Sequence, residues 1–165
     1  MHIGQAYSTH ASPRLRLMNW LANPIVRGIL RSPLHGILSH KELLLTYTGK
    51  KSGRAFTLPV EYVTDGEVIY ILVGSPDQKT WWRNLHGGAQ VKLLVRRHPF
   101  TAHAEIVSGN TDAVIRGLQA YFNRFPASAT ARGIQRSADG VFARDDLEQA
   151  ATSAIMVRLT GMKPV

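Results

Sequence analysis

The sequence predicts a mainly β (α+β) domain: an antiparallel barrel of about six strands, with helices at its start and around its periphery. Three observations carry that prediction. Short β-favouring runs recur at 43–48, 56–63, 67–73, 90–96, 100–107 and 154–160, each too short for anything but a strand. Hairpin signals separate them: Gly49 to Gly53, Asp65-Gly66 and Arg97-His98-Pro99. Helical periodicity is confined to the N-terminal third and to 111–125.

The elements follow in order. Residues 1–12 are small and polar and read as a loose leader, and 13–165 as one domain. Within it, 13–40 holds the N-terminal helices. Leu15, Leu17, Met18, Leu21 and Ala22 gather on one side at helical spacing, Asn23-Pro24 supplies a cap and a first-turn proline, and Ile25, Val26, Ile29 and Leu30 continue on a second short helix. Leu43, Leu44 and Leu45 followed by Thr-Tyr-Thr make a buried strand. In the next strand Phe56, Leu58, Val60 and Tyr62 share one parity, and Pro59, which cannot donate to a ladder, implies an edge, a bulge or a ligand-facing break. Val91, Leu93 and Val95 alternate with polar residues, and Phe100, Ala102, Ala104 and Ile106 share a face. Val114, Ile115, Leu118, Tyr121 and Phe122 form the apolar side of a helix. Residues 126–150, rich in Ala, Ser, Arg and Gln, show no clear period and read as a mobile helix or loop.

Charge narrows the partners. The net charge is +9, and residues 1–60 hold eight Lys or Arg but only one acid, Glu42. Such an excess favours an anionic ligand, whether nucleic acid, an acidic membrane surface or a phosphorylated or carboxylated small molecule. No cysteine is present, which excludes disulfides, thiolate metal sites and Cys nucleophiles. The histidines show no ligand spacing that converges, so no metal is expected. No apolar run is long enough to span a membrane, and the N-terminus lacks the apolar block of a signal peptide; the expectation is a cytoplasmic protein, with membrane association left open.

Two clusters carry chemistry. Thr48-Gly49-Lys50-Lys51-Ser52-Gly53-Arg54 is a glycine-bracketed basic turn, suited to hold an anion through backbone N–H groups and adjacent cations, though it lacks the glycine spacing of a P-loop. An ordinary solvated hairpin would read the same way. Lys79-Thr80-Trp81-Trp82-Arg83-Asn84-Leu85 sets two indoles beside cations and an amide; adjacent side chains diverge, so one indole can enter the core and the other face a ligand. Together they suggest a pocket for a large, flat, anionic molecule.

The order of these motifs, with Pro59 and the Asp65-Gly66 hairpin between them, resembles the deazaflavin-dependent nitroreductase family of the flavin/deazaflavin oxidoreductases, over roughly residues 20–108. The resemblance implies a split β-barrel that binds reduced coenzyme F420, a deazaflavin with a phospholactyl oligoglutamate tail, and passes a hydride to an electrophilic conjugated acceptor such as a quinone or nitroaromatic. It implies that Lys50, Lys51, Ser52, Gly53 and Arg54 hold phosphate and tail, that Pro59 and Val60 lie beside the ring, and that Ser75, Lys79, Trp81 and Asn84 form the second cofactor segment. Hydride chemistry would be borne by the cofactor, so no catalytic side chain is assigned. The best-studied relatives place a tyrosine where this chain has Glu61, and 126–150 contains no tyrosine, so Glu61 and Trp82 stand as candidate substrate-pocket residues.

Alternatives from other classes stay open at this point. FMN could replace F420 in the same fold, or the chain could be a noncatalytic fatty-acid or haem-binding relative, docked to a membrane surface by the basic N-terminal helices. Nucleic acid is not expected as a partner, because the aromatics are not interleaved with the basic run. Homodimerisation is left open.

Overall fold

The computed structural model describes residues 41–165. The leader and the helices expected at 13–40 lie outside the described residues. Seven antiparallel strands form one sheet: β1 (Glu42–Thr48), β2 (Ala55–Glu61), β3 (Val63–Asp65), β4 (Val68–Leu72), β5 (Ala89–Val95), β6 (His98–Ser108) and β7 (Ile155–Pro164). Their order across the sheet is β2-β1-β5-β6-β7-β4-β3. The run expected as one strand at 56–63 is thus two, and they occupy opposite edges of the same sheet. Only Tyr62 separates them in sequence, so the sheet must curl until its edges meet at that residue. This is a split barrel, closed by the chain and not by a ladder.

Alternation along the strands sorts side chains between two cores. Leu43, Leu45, Val60, Tyr62, Ile69, Ile71, Val73, Val91, Leu93, Ala102, Ala104, Val157 and Leu159 point into the barrel. Tyr70 and Met156 point outward, under helix α1 (Asp112–Arg124). That helix begins at Thr111, whose hydroxyl accepts from the Val114 N–H, and it buries Val114, Ile115, Leu118, Tyr121 and Phe122, as its periodicity predicts. Gly117 lets it lie close: a Cβ there would stand 2.7 Å from Met156 Sδ and 2.8 Å from Tyr70 Cδ1.

Several expected boundaries move. The turn expected at Arg97-His98-Pro99 falls at Arg96-Arg97, which take φ of 48° and 70°. Two left-handed residues give the hairpin twist that matches flanking strands, so His98 and Pro99 already pair with Val95 and Leu94. The last strand runs to Pro164 instead of 160, because it pairs with β4 and then continues along β6. Residues 126–150 are ordered as α2 (Pro126–Thr130), an isolated bridge between Arg136 and Phe142, and α3 (Arg144–Ala151). Ala129, Ile134, Phe142, Leu147 and Ala151 fasten this segment against α1 at irregular spacings, which is why no period shows in the sequence. Pro59 sits on edge strand β2, as a residue without an N–H donor requires.

Candidate functional site

The β1–β2 hairpin sets the long axis of the site. Its register runs from Thr48 opposite Ala55 at the turn to Glu42 opposite Glu61 at the far end. The turn is drawn tight by Gly49 N–H donating to Arg54 O and Gly53 N–H donating to Gly49 O, both at 2.8 Å. Gly53 is left-handed (φ 65°), and Gly49 leaves no room for a side chain, since a Cβ would meet the Phe56 ring at 2.7 Å. The Ser52 hydroxyl accepts from Arg54 N–H. Among the described residues, the N–H groups of Lys51 and Ser52 find no acceptor, and the Lys51 and Arg54 side chains form no ion pair. Two unpartnered amides beside two unpaired cations have the chemistry that complements an anion.

The second motif is bound to the first. Residues Trp81–Leu85 form a 3-10 helix, and Asn84 in it links both segments: its Oδ1 accepts from Lys50 N–H at 3.0 Å and its Nδ2 donates to Trp81 O at 2.9 Å. The Lys50 ammonium donates to His86 O. Lys50 and Asn84, expected to touch cofactor, therefore spend these groups on holding the two motifs together. Trp82 turns inward, where its indole N–H donates to Pro76 O at 3.2 Å. Trp81 turns toward the sheet, its ring centroid 6.4 Å from Tyr47, and Tyr47 in turn stacks on Phe56 at 5.7 Å. A line of aromatic rings thus leads from the basic turn along the hairpin.

It leads to a cavity of about 400 Å³ at the seam between β2 and β4. Leu58, Pro59, Val60, Ile71, Val73 and Trp81 give it apolar walls, and Lys79 stands at its edge. Arg54 and Pro59 are five strand positions apart, or about 17 Å, so an extended ligand with a ring in the cavity reaches the turn with its tail. Of the expected site residues, Pro59, Val60, Glu61, Lys79 and Trp81 line this cavity, while Lys50 to Arg54, Ser75, Trp82 and Asn84 do not. Ser75 stays in the adjoining turn with φ of 51°, its carbonyl accepting from the Gln78 and Lys79 N–H groups. Wider clefts of about 490 and 650 Å³ open beside α1, but neither gathers residues from both motif-bearing segments.

The far wall holds three polar residues to which the sequence reading gave no site role: Glu42, Tyr121 and Arg132. The Tyr121 hydroxyl donates to Glu61 Oε2 at 2.9 Å. Burial first, and then the Glu61 charge and hydrogen bond, push the Tyr121 phenol up to about 12. Burial and the Glu61 charge likewise hold the Glu42 carboxyl above its ordinary range. Glu42 Oε2 is buried and has no hydrogen-bond partner among the described residues. Arg132 donates from Nη1 to Ser128 O at 2.8 Å and lies over the Phe122 ring. Two signals pointed this way: Glu42 is the lone acid of the first sixty residues, and Tyr121 puts a hydroxyl on an apolar helix face, where it must find a partner.

The fold is a split barrel, and the site is an apolar, aromatic-walled cavity linked by a line of rings to a basic turn with unpartnered amides. Residues 30–134 match the family model described as F420H(2)-dependent quinone reductase, and the chain belongs to that family. It is an F420-dependent reductase, and coenzyme F420 is its cofactor. The donor set fits that molecule, offering free amides and cations for an anionic tail and an aromatic-walled cavity for a ring. No curated protein matches the chain. Among solved structures it is similar to one described as a domain-swapped dimer, at 16% identity over 87% of this chain and 99% of that one, with a TM-score of 0.54, which supports the fold. It also matches the F420-H2 dependent reductase FDR-A (15% identity, 73% of this chain, 94% of that one, TM-score 0.48). A third match is the conserved hypothetical protein Rv2991 from Mycobacterium tuberculosis (13%, 98% and 89%, TM-score 0.44). Among the described residues no helix is long and apolar enough to cross a membrane.

Proposed function

We propose that the cavity at the β2–β4 seam seats the deazaflavin ring, that the Gly49–Arg54 turn holds the phosphate and glutamate tail, and that the acceptor is a quinone. The observation that carries this reading is the pair of unpartnered N–H groups at Lys51 and Ser52, set beside Lys51 and Arg54 and joined to the cavity by the Tyr47–Phe56–Trp81 rings. Reduced F420, when bound, supplies the hydride from its C5. The chain's own residues do the rest. Lys51 and Arg54 neutralise the tail, Arg54 as a planar fork and Lys51 as a point charge. Pro59 and Val60 offer a flat edge against the ring, which Pro59 keeps free of a ladder donor. Trp81 and the apolar wall exclude water from the transfer. Asn84 and Lys50 act as positioning residues, holding turn and ring pocket at a fixed separation.

The quinone fits the remaining space on chemical grounds. It is a flat conjugated carbonyl compound, and the polar wall of Glu42, Glu61, Tyr121 and Arg132 faces the apolar one across the cavity. Fluorescence titration of the protein with F420 tests the seat. Lys51→Ala and Arg54→Ala should each weaken binding by about tenfold or more at low salt, the worth of one charge-assisted contact, and by less at high salt, where the charges are screened. Unchanged affinity in both variants would remove the tail from this turn.

A further inference from the structure

Beyond the cofactor seat, the cavity contains an arrangement that hydride chemistry needs and the cofactor cannot supply alone. Glu42 and Glu61 stand directly opposite each other in the β1–β2 ladder, so their side chains leave the same face, with Cβ atoms about 5 Å apart. Two carboxyls at that spacing do not both ionise readily at neutral pH. Their surroundings separate them. Glu61 is exposed and accepts the Tyr121 hydroxyl. Glu42 is set deeper and has an oxygen sealed from water without a partner. Among the described residues, the remaining charged groups on this cavity are Arg132, on the segment after α2, and Lys79, before the 3-10 helix; β4 contributes Ile71 and Leu72, followed by Val73 and Gly74. No ion pair joins Arg132 or Lys79 to either carboxyl.

We propose that Glu42 is the general acid that protonates the reduced acceptor, with Glu61, held by Tyr121, returning protons to it from water. This rests on the cavity being the ring seat. In the step, the hydride leaving C5 of the reduced cofactor brings two electrons and one hydrogen nucleus to the conjugated carbonyl. The negative charge so formed collects on the acceptor oxygen. The Glu42 O–H bond breaks, an O–H bond forms on that oxygen, and Glu42 is left as a carboxylate. A proton from water then restores it, by way of Glu61. The acceptor has gained a hydride and a proton, the cofactor has lost the hydride and gives up its ring N–H proton to water, and the balance closes without another oxidant or reductant. The direction in which burial and the Glu61 charge move the Glu42 carboxyl agrees with this role, because an acid must keep its proton near neutral pH to deliver it. Tyr121, whose phenol is pushed up to about 12, stays protonated throughout and acts as a positioning residue for Glu61.

The test follows turnover of a soluble naphthoquinone by the protein with reduced F420 across pH, beside F420 binding by fluorescence. In wild type kcat should fall as pH rises past the Glu42 range, about tenfold per unit. Glu42→Gln should lower kcat by 10²-fold or more, flatten that profile and leave F420 affinity within about twofold. Glu61→Gln removes a charge that raises the Glu42 carboxyl, so it should move the inflection of the profile to lower pH. A merely structural pair would shift no inflection. Wild-type kcat and an unaltered profile in Glu42→Gln, with F420 still bound, would overturn the acid role and leave the seat intact. Should Glu42→Gln fail to fold, an unmoved inflection in Glu61→Gln would overturn it as well. F420 affinity unchanged by both Trp81→Ala and Arg54→Ala would instead overturn the seat, and this proposal with it.

Discussion

At the scale of the residue, Asn84 ties the two motif-bearing segments to each other. Both ends of its side chain are engaged, one with the Lys50 N–H and the other with the Trp81 carbonyl. Those two bonds fix the basic turn relative to the ring wall, and a ligand that spans both gains only if they are already in place. Asn84→Ala leaves the Lys50 N–H without its acceptor, an exposed group that water can satisfy, so the fold should lose only about 1 kcal/mol. Cofactor affinity should drop about tenfold, because the turn is no longer pre-positioned. Titration with F420 beside a denaturant curve checks both, and a large stability loss with unchanged affinity would make Asn84 a structural residue alone. From sequence Asn84 reads as a candidate site residue, and its bond to the basic turn does not show. The difference lies in a contact across 34 positions of chain, which no local pattern encodes. Trp81 and Trp82 were more transparent, since adjacent side chains must diverge and the fold buries one and turns the other toward the cavity.

At the scale of the element, legibility followed periodicity. Helix α1 could be read to within a residue or two because its apolar stripe is dense and Thr111 offers a cap. The β2–β3 break at Tyr62 could not be read, since alternation continues unbroken from Phe56 through Tyr62 and only closure of the sheet demands the separation. Residues 126–150 were hidden for the opposite reason: their anchors are real but aperiodic. Phe122 joins these elements. It is fully buried in α1, meets Phe142 edge to face at 5.8 Å, and carries the Arg132 guanidinium at 5.7 Å from its ring centroid. Phe122→Ala should cost about 3–5 kcal/mol by transfer and cavity terms together. It should also loosen Arg132 at the polar wall, so the KM for quinone should rise more than F420 affinity falls. Urea unfolding and steady-state kinetics read the two effects, and a stability change under about 1 kcal/mol would show that the 126–150 segment does not rest on this ring.

At the scale of the whole molecule, the seam is what the fold leaves for function. Among the described residues the sheet is hydrogen-bonded from β2 round to β3, no ladder joins its two edges, which the chain links at Tyr62, and the cavity lies at that seam. A barrel closed by pairing would have filled that space; a barrel closed by the chain keeps a slot whose walls come from β1, β2, β4, the 3-10 helix and α1. A ligand in the slot therefore cross-braces elements that otherwise meet weakly, and it binds the folded state alone. Linkage then sets the size of the effect. At a free concentration one hundred times its dissociation constant, F420 adds about 2.7 kcal/mol, which for a chain of this length is a rise in Tm of roughly 5–10 °C. Hydrogen exchange should slow most at β2, at 73–86 and at the C-terminal turn of α1, and little along β6, which already has ladder partners on both sides. Differential scanning fluorimetry with and without the cofactor gives the first number and exchange mass spectrometry the map. A rise in Tm with protection spread evenly over the sheet would place the ligand elsewhere than the seam. Protection confined to β2 and the 73–86 segment would mean that the ligand bridges the open edge of the barrel, which is the mechanical reason for leaving that edge unpaired.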